Sequence, residues 1–153
     1  MESNVYSVEQ VKDKVAQAFP AVVFNDAKIE PRRLYMAADR SVLFELCKLL
    51  KDELGFDHCS LVSGVDYCDK FQTVYHITSY TSNITVEIVV DLPHDEPEVD
   101  SVTPLWAGAN WHERETYDMF GIIFKGHPNL RRLLLPEDYK FFPMRKDCHE
   151  GGR

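Results

Sequence analysis

The sequence predicts an α+β fold: a two-layer sandwich in the order α-β-β-α-β-β-β with a mainly antiparallel sheet, then a C-terminal helix and an extended, irregular tail. Three observations lead there. Apolar residues recur at helical spacing in two windows, 8–19 and 43–54. Three runs between 59 and 90 are rich in β-branched and aromatic residues and are separated by short polar turns. Beyond Gly121, Gly126, Pro128, Pro136 and Pro143 punctuate the chain without periodicity. With 153 residues, 44% of them hydrophobic and 27% charged, the chain suits one globular domain and is not mainly disordered.

The first helix opens at Ser7, which stands as N-cap to Gln10 at N3. That pair can form a capping box, with Tyr6 and Val11 placed as a hydrophobic staple. Val8, Val11, Val15 and Phe19 make the stripe and Pro20 stops it. Strand-like segments follow at Ala21–Phe24 and Arg33–Ala38. Asp39 is placed to cap a second helix with the stripe Leu43, Leu46, Cys47, Leu50 and Leu54, and Gly55 suits its C-terminal turn. Cys47 is thus a core residue. Strands are predicted over Cys59–Tyr67, Phe71–Tyr80 and Ile84–Val90, with turns at Asp69-Lys70 and Thr81-Ser82-Asn83 making antiparallel neighbours. Leu92–Pro104, with three prolines and dense in acid, reads as an exposed connection. Thr103-Pro104 starts a helix over 104–119. Residues 1–120 form the body, and 121–153 a partner-binding tail of the same domain.

The net charge is −8, but it is divided: residues 1–109 carry −9 and residues 121–146 carry +4. This predicts two different surfaces and argues against general binding of nucleic acid or anionic membrane. No run approaches a membrane span, and Met1–Ser7 has no signal-peptide character. Cys47, Cys59, Cys68 and Cys148 show no cluster-binding spacing. A metalloprotease H-E-x-x-H fails because residue 116 is Thr, and no nucleotide-binding loop or nucleophile elbow is present.

The densest polar group is His112-Glu113-Arg114-Glu115 with Asp118, flanked by Trp106, Trp111, Tyr117 and Phe120. Large apolar residues surround this helix, so at least one of its charges should be buried and need a partner. Three readings stand side by side. The carboxylates pair with arginines of the tail (Arg131, Arg132, Arg145) and Lys146; some of the charges face a partner protein; or Glu113 and Glu115, with His112, do acid–base chemistry. Carboxylates two apart on a helix diverge by roughly 200°, which does not suit flanking one bond.

Glu113–Ile122 (ERETYDMFGI), Gly126–Pro136 (GHPNLRRLLLP) and Pro143–Asp147 (PMRKD) resemble the signature of the complex I 30-kDa (C) subunit family over about residues 104–147. One departure is Phe141-Phe142-Pro143, where the family commonly has Gly-His-Pro. The resemblance implies a non-catalytic peripheral-arm subunit of an ion-pumping oxidoreductase that binds no cofactor or metal itself. Flavin and iron–sulfur clusters lie in other subunits. Its neighbours would be the hydrogenase-like large (49-kDa, D-type) subunit, the small iron–sulfur (B-type) subunit and the ferredoxin-like (I-type) subunit, on the cytoplasmic face of the membrane. It implies a structural network of Glu113, Arg114, Glu115, Asp118, Phe120, Gly121, Arg131 and Arg132. His127, Pro128, Tyr139, Phe141, Pro143, Arg145, Lys146 and Asp147 would face partners. The family serves NADH:quinone oxidoreductases, F420H2 dehydrogenases and energy-converting hydrogenase-type complexes. The compact length and few cysteines favour a minimal prokaryotic or archaeal complex of the F420H2 type.

Overall fold

The structure, a computed structural model, describes residues 5–26 and 30–146. Helix α1 (Val8–Ala18) begins with both halves of the capping box made, Ser7 Oγ accepting from Gln10 N–H and Gln10 Oε1 accepting from Ser7 N–H. Val11 and Val15 turn inward and are fully buried. Strands β1 (Val23–Phe24) and β2 (Arg33–Ala37) follow. Helix α2 (Leu43–Asp52) starts later than Asp39 predicts. The Asp39 carboxylate instead accepts from the Ser41 amide and hydroxyl, holding a turn ahead of the helix, and Val42 at the N-cap brings no side-chain bond. Gly55, at φ +75°, takes the left-handed position that lets the chain leave α2.

Strands β3 (His58–Asp66), β4 (Lys70–Ser79) and β5 (Ile84–Pro93) form two antiparallel hairpins. The sheet order is β1-β2-β5-β4-β3. It is mixed: β2 and β5 pair in parallel, while the other pairings are antiparallel. The cause is the α2 crossover, which returns the chain so that β3 runs in the direction of β2. Two hairpin reversals then bring β5 alongside β2 in that same direction. Alternation puts Phe71, Thr73, Tyr75, Ile77 and Ser79 of β4, and Ile84, Val86, Ile88, Val90 and Leu92 of β5, on the buried face. The leucines of α2 and the valines of α1 complete this core.

The acidic connection differs from its predicted exposure. Strand β6 (Glu98–Asp100) lies within it and pairs in parallel with β7 (Ile123–Lys125); Val99 and Val102 are buried. The acidic composition hid a short inward alternation. Helix α3 (Ala109–Phe120) starts well after Pro104, because Leu105 and Trp106 amides both return to the Val102 carbonyl in a preceding turn. Ile122 and Phe124 are buried, so the chain re-enters the body through β7 before its irregular stretch begins at 126. Helix α3 covers β3 at Gly64, where an added Cβ would lie 2.9 Å from the Phe120 ring and 3.1 Å from Thr116 Cγ2. The Thr116 hydroxyl also sits 3.2 Å from the Val62 carbonyl of β3.

Candidate functional site

Residues 126–146 have no regular secondary structure, so their backbone groups must find partners elsewhere. Asp118, fully buried on α3, supplies them. Its Oδ2 accepts from the amides of Leu133 (3.2 Å), Leu134 (2.7 Å) and Leu135 (3.0 Å), and its Oδ1 from Arg132 Nη1 at 3.0 Å. Burial pushes the Asp118 carboxyl up, but these donors outweigh it and hold the group below its ordinary value. Arg132 also donates to the carbonyls of Asp118, Tyr139 and Phe141. Its guanidinium stacks among the rings of Phe142 (4.6 Å), Tyr139 (5.5 Å) and Tyr117 (5.9 Å). One arginine thus ties together a helix and three separate points of an irregular chain.

Three further residues continue the attachment. Arg114 stacks on Trp111 and donates to the carbonyls of Arg131 and Arg132. Arg145 donates to the Phe120 carbonyl and lies 5.0 Å from the rings of Phe71 and Phe142. The Lys146 amide donates to Asp66 Oδ2 at 2.8 Å, closing the tail onto β3. Gly121, at φ +75°, lets Phe142 and Arg145 approach closely, since a Cβ there would come within 2.8 and 2.7 Å of them. Phe120 packs edge-on to Phe71.

Glu113 is fully buried, but its partners are not arginines. Ser101 Oγ donates at 2.6 Å and the Val102 amide at 2.9 Å. Burial pushes its carboxyl up to about 7, against the downward pull of those two bonds. Its side chain has no solvent exposure. Glu115 is exposed and stands outside the network, pointing to the opposite side from Glu113. The Arg131 side chain is also exposed and, among the described residues, reaches only Glu137, at 3.5 Å; its carbonyl, not its charge, joins the network.

Among the residues expected to face partners, His127 and Arg145 bond internally. His127 Nε2 lies 3.2 Å from the Asn110 carbonyl, and its Nδ1 accepts from the Asn129 amide. Burial lowers its pKa, opposed by the Asn110 bond and reinforced by Arg114. The Tyr139 ring is half-buried against Arg132. Pro128, Phe141, Pro143 and Lys146 are exposed, and Asp147 lies outside the described residues. Sequence reasoning missed Ser101 and Asp66. The signal for Asp66 was its place on the inward face of β3, in step with Val62 and Gly64, which demands donors. Among the described residues, no group of three His, Cys, Asp or Glu converges to hold a metal, and no helix is long and apolar enough to cross a membrane.

A family model described as the respiratory-chain NADH dehydrogenase 30-kDa subunit matches residues 36–153. The chain belongs to this family. It is 44% identical over 137 residues to the C-type subunit of F(420)H(2) dehydrogenase from Methanosarcina mazei, covering 87% of this chain and 85% of that one. It is 40% identical over 148 residues to the C-type subunit of NADH-quinone oxidoreductase from Roseiflexus sp., covering 93% and 84%. Among solved structures, the trypsin-resistant fragment (1–134) of Nqo5 superposes with a TM-score of 0.71 at 28% identity, covering 80% of this chain and 98% of the fragment. The 30-kDa subunit family thus spans both dehydrogenase types, and the match includes the whole α3-and-tail site.

Proposed function

We propose that this chain is a non-catalytic scaffold in the peripheral arm of a complex I-like oxidoreductase that couples electron transfer to ion translocation. The donor is F420H2 or NAD(P)H and the acceptor a quinone or methanophenazine. The chain seats the hydrogenase-like large subunit and the small iron–sulfur subunit, with the ferredoxin-like subunit beside them, on the cytoplasmic face of the membrane. Flavin and iron–sulfur clusters belong to those neighbours.

One observation carries the reading: segment 126–146 is pinned to α3 through two arginines and still holds several large apolar side chains outward. Arg132 bonds Asp118 of α3 and Arg145 bonds the Phe120 carbonyl, while Leu134 is 63%, Met144 55% and Phe141 39% exposed. Trp111 of α3 is 60% exposed. Large apolar and aromatic side chains held outward on a pinned backbone suit a protein interface.

The test is affinity purification of the tagged chain from native membranes, followed by mass spectrometry and an ultraviolet–visible spectrum of the chain alone. The expected result is co-purification with the two electron-transfer subunits, the recovered input module identifying the donor, and no flavin or iron–sulfur absorbance in the isolated chain. Turnover by the chain alone would overturn the reading.

A further inference from the structure

The tail's positive charge is not all committed to its own fold. Arg132 is neutralised by Asp118, and its side chain is 7% exposed. Arg131 and Lys140 differ. The Arg131 side chain is 62% exposed and meets Glu137, itself 77% exposed, at 3.5 Å. A solvated pair of that kind is worth little and is readily exchanged. Lys140 is exposed and forms no ion pair among the described residues. Both line a cleft of about 480 Å³ together with Glu137, Arg132 and the rings of Tyr117, Tyr139 and Phe142. Those rings are fixed in place because all three stack on the immobilised Arg132.

Aromatic rings held by Arg132, beside a lysine unpaired among the described residues and an arginine with one solvated, exchangeable partner, fit a short acidic segment, its stem on the rings and its carboxylate displacing Glu137 from Arg131. The remainder of the chain chooses among anionic partners. Residues 1–109 carry −9, so a nucleic acid or an anionic bilayer, each an extended array of charge, is repelled by the body before it reaches the cleft. A protein segment bearing one or two carboxylates presents its charge only on contact.

We propose that this cleft is a docking site for an acidic segment of a neighbouring subunit, with a partner carboxylate seated between Arg131 and Lys140. This rests on the scaffold reading above and names the chemistry of one of its contacts.

The experiment uses the assembled complex purified from native membranes. A carbodiimide couples carboxylates directly to amines in contact with them, so Lys140 should be recovered joined to an Asp or Glu of another subunit. In parallel, the tagged chain carrying R131E and K140E together is compared with the wild type for retention in the complex across a potassium chloride series. The reversed variant should be retained roughly tenfold less at moderate salt. The conservative pair R131K and K140R should be retained as the wild type is. Both reversed side chains are on the surface, and matching melting temperatures confirm that the variant is folded. The proposal is overturned if Lys140 couples only within its own chain or to phospholipid, or if charge reversal leaves retention unchanged. Should the wild-type chain itself co-purify with no other subunit, the scaffold reading fails instead, which is a distinguishable result.

Discussion

Glu113 and Asp118 are both buried carboxylates on α3, one turn and a half apart, and their surroundings drive them in opposite directions. Asp118 meets a guanidinium and three amides and stays ionised. Glu113 meets one hydroxyl and one amide, its charge is felt by Cys47, Cys59 and Tyr75, and its carboxyl is pushed up to about 7 by burial. For an acid whose folded pKa is raised above its ordinary 4.5, the fold holds the proton more tightly than the unfolded chain does. Stability from this group is therefore full below about 4.5 and is lost as pH rises to about 7, by on the order of 3 kcal/mol at most. Glu113→Gln imitates the protonated form. Thermal melts at pH 5, 6, 7 and 8 should show this decline flattened in the variant, which should melt above the wild type at pH 8. An unchanged slope would remove the assignment. His127 acts at the other end: its lowered pKa makes the fold lose stability as pH falls below about 6.5.

At the scale of elements, the tail is held to α3 by side chains and not by a sheet or helix of its own. Removing Arg132 leaves Asp118 buried without its counter-ion, a change that costs about 3–5 kcal/mol. The body has its own core, so this loss should appear as local release. Arg132→Ala should expose sites within 126–146 to brief proteolysis, while the body before them remains a resistant fragment. Equal resistance to the wild type would show that the attachment lies elsewhere. The seat of α3 on β3 depends on the missing side chain at Gly64. Gly64→Val should push Phe120 and Thr116 off the strand and lower stability by about 1–3 kcal/mol in urea unfolding. It should also free the tail, because the tail is attached to α3.

The whole molecule is an acidic body carrying a basic, outward-apolar strip, and both features bear on assembly. Arg132→Ala should reduce the amount of chain recovered in the complex. On the proposed scaffold role, complexes that do form should keep the iron–sulfur and flavin content of the wild type per assembled particle, measured by metal analysis and absorbance. Normal assembly with lowered turnover would instead point to a direct part in electron transfer. Arg131→Ala should leave the stability of the isolated chain within about 0.5 kcal/mol of the wild type, because its side chain is on the surface.

Local chemistry was sufficient for much of the fold. The Ser7–Gln10 capping box, the α2 stripe, its left-handed exit at Gly55 and the two hairpins each depend on residues close together in the chain, so periodicity and turn chemistry reveal them. The ERETYDMFGI run likewise pointed to the family that the comparisons then established. What only the tertiary structure decided was pairing at a distance. The sequence called for a partner for a buried charge on α3, but several basic residues were equally available. Geometry selected Arg132 for Asp118, gave Glu113 a serine and an amide, and left Arg131 and Glu115 in solvent. The parallel β2–β5 contact and the buried β6 strand were hidden for the same reason. Which residues share a face is written in local spacing. Which face meets which depends on how the whole chain closes, and no local window contains that information.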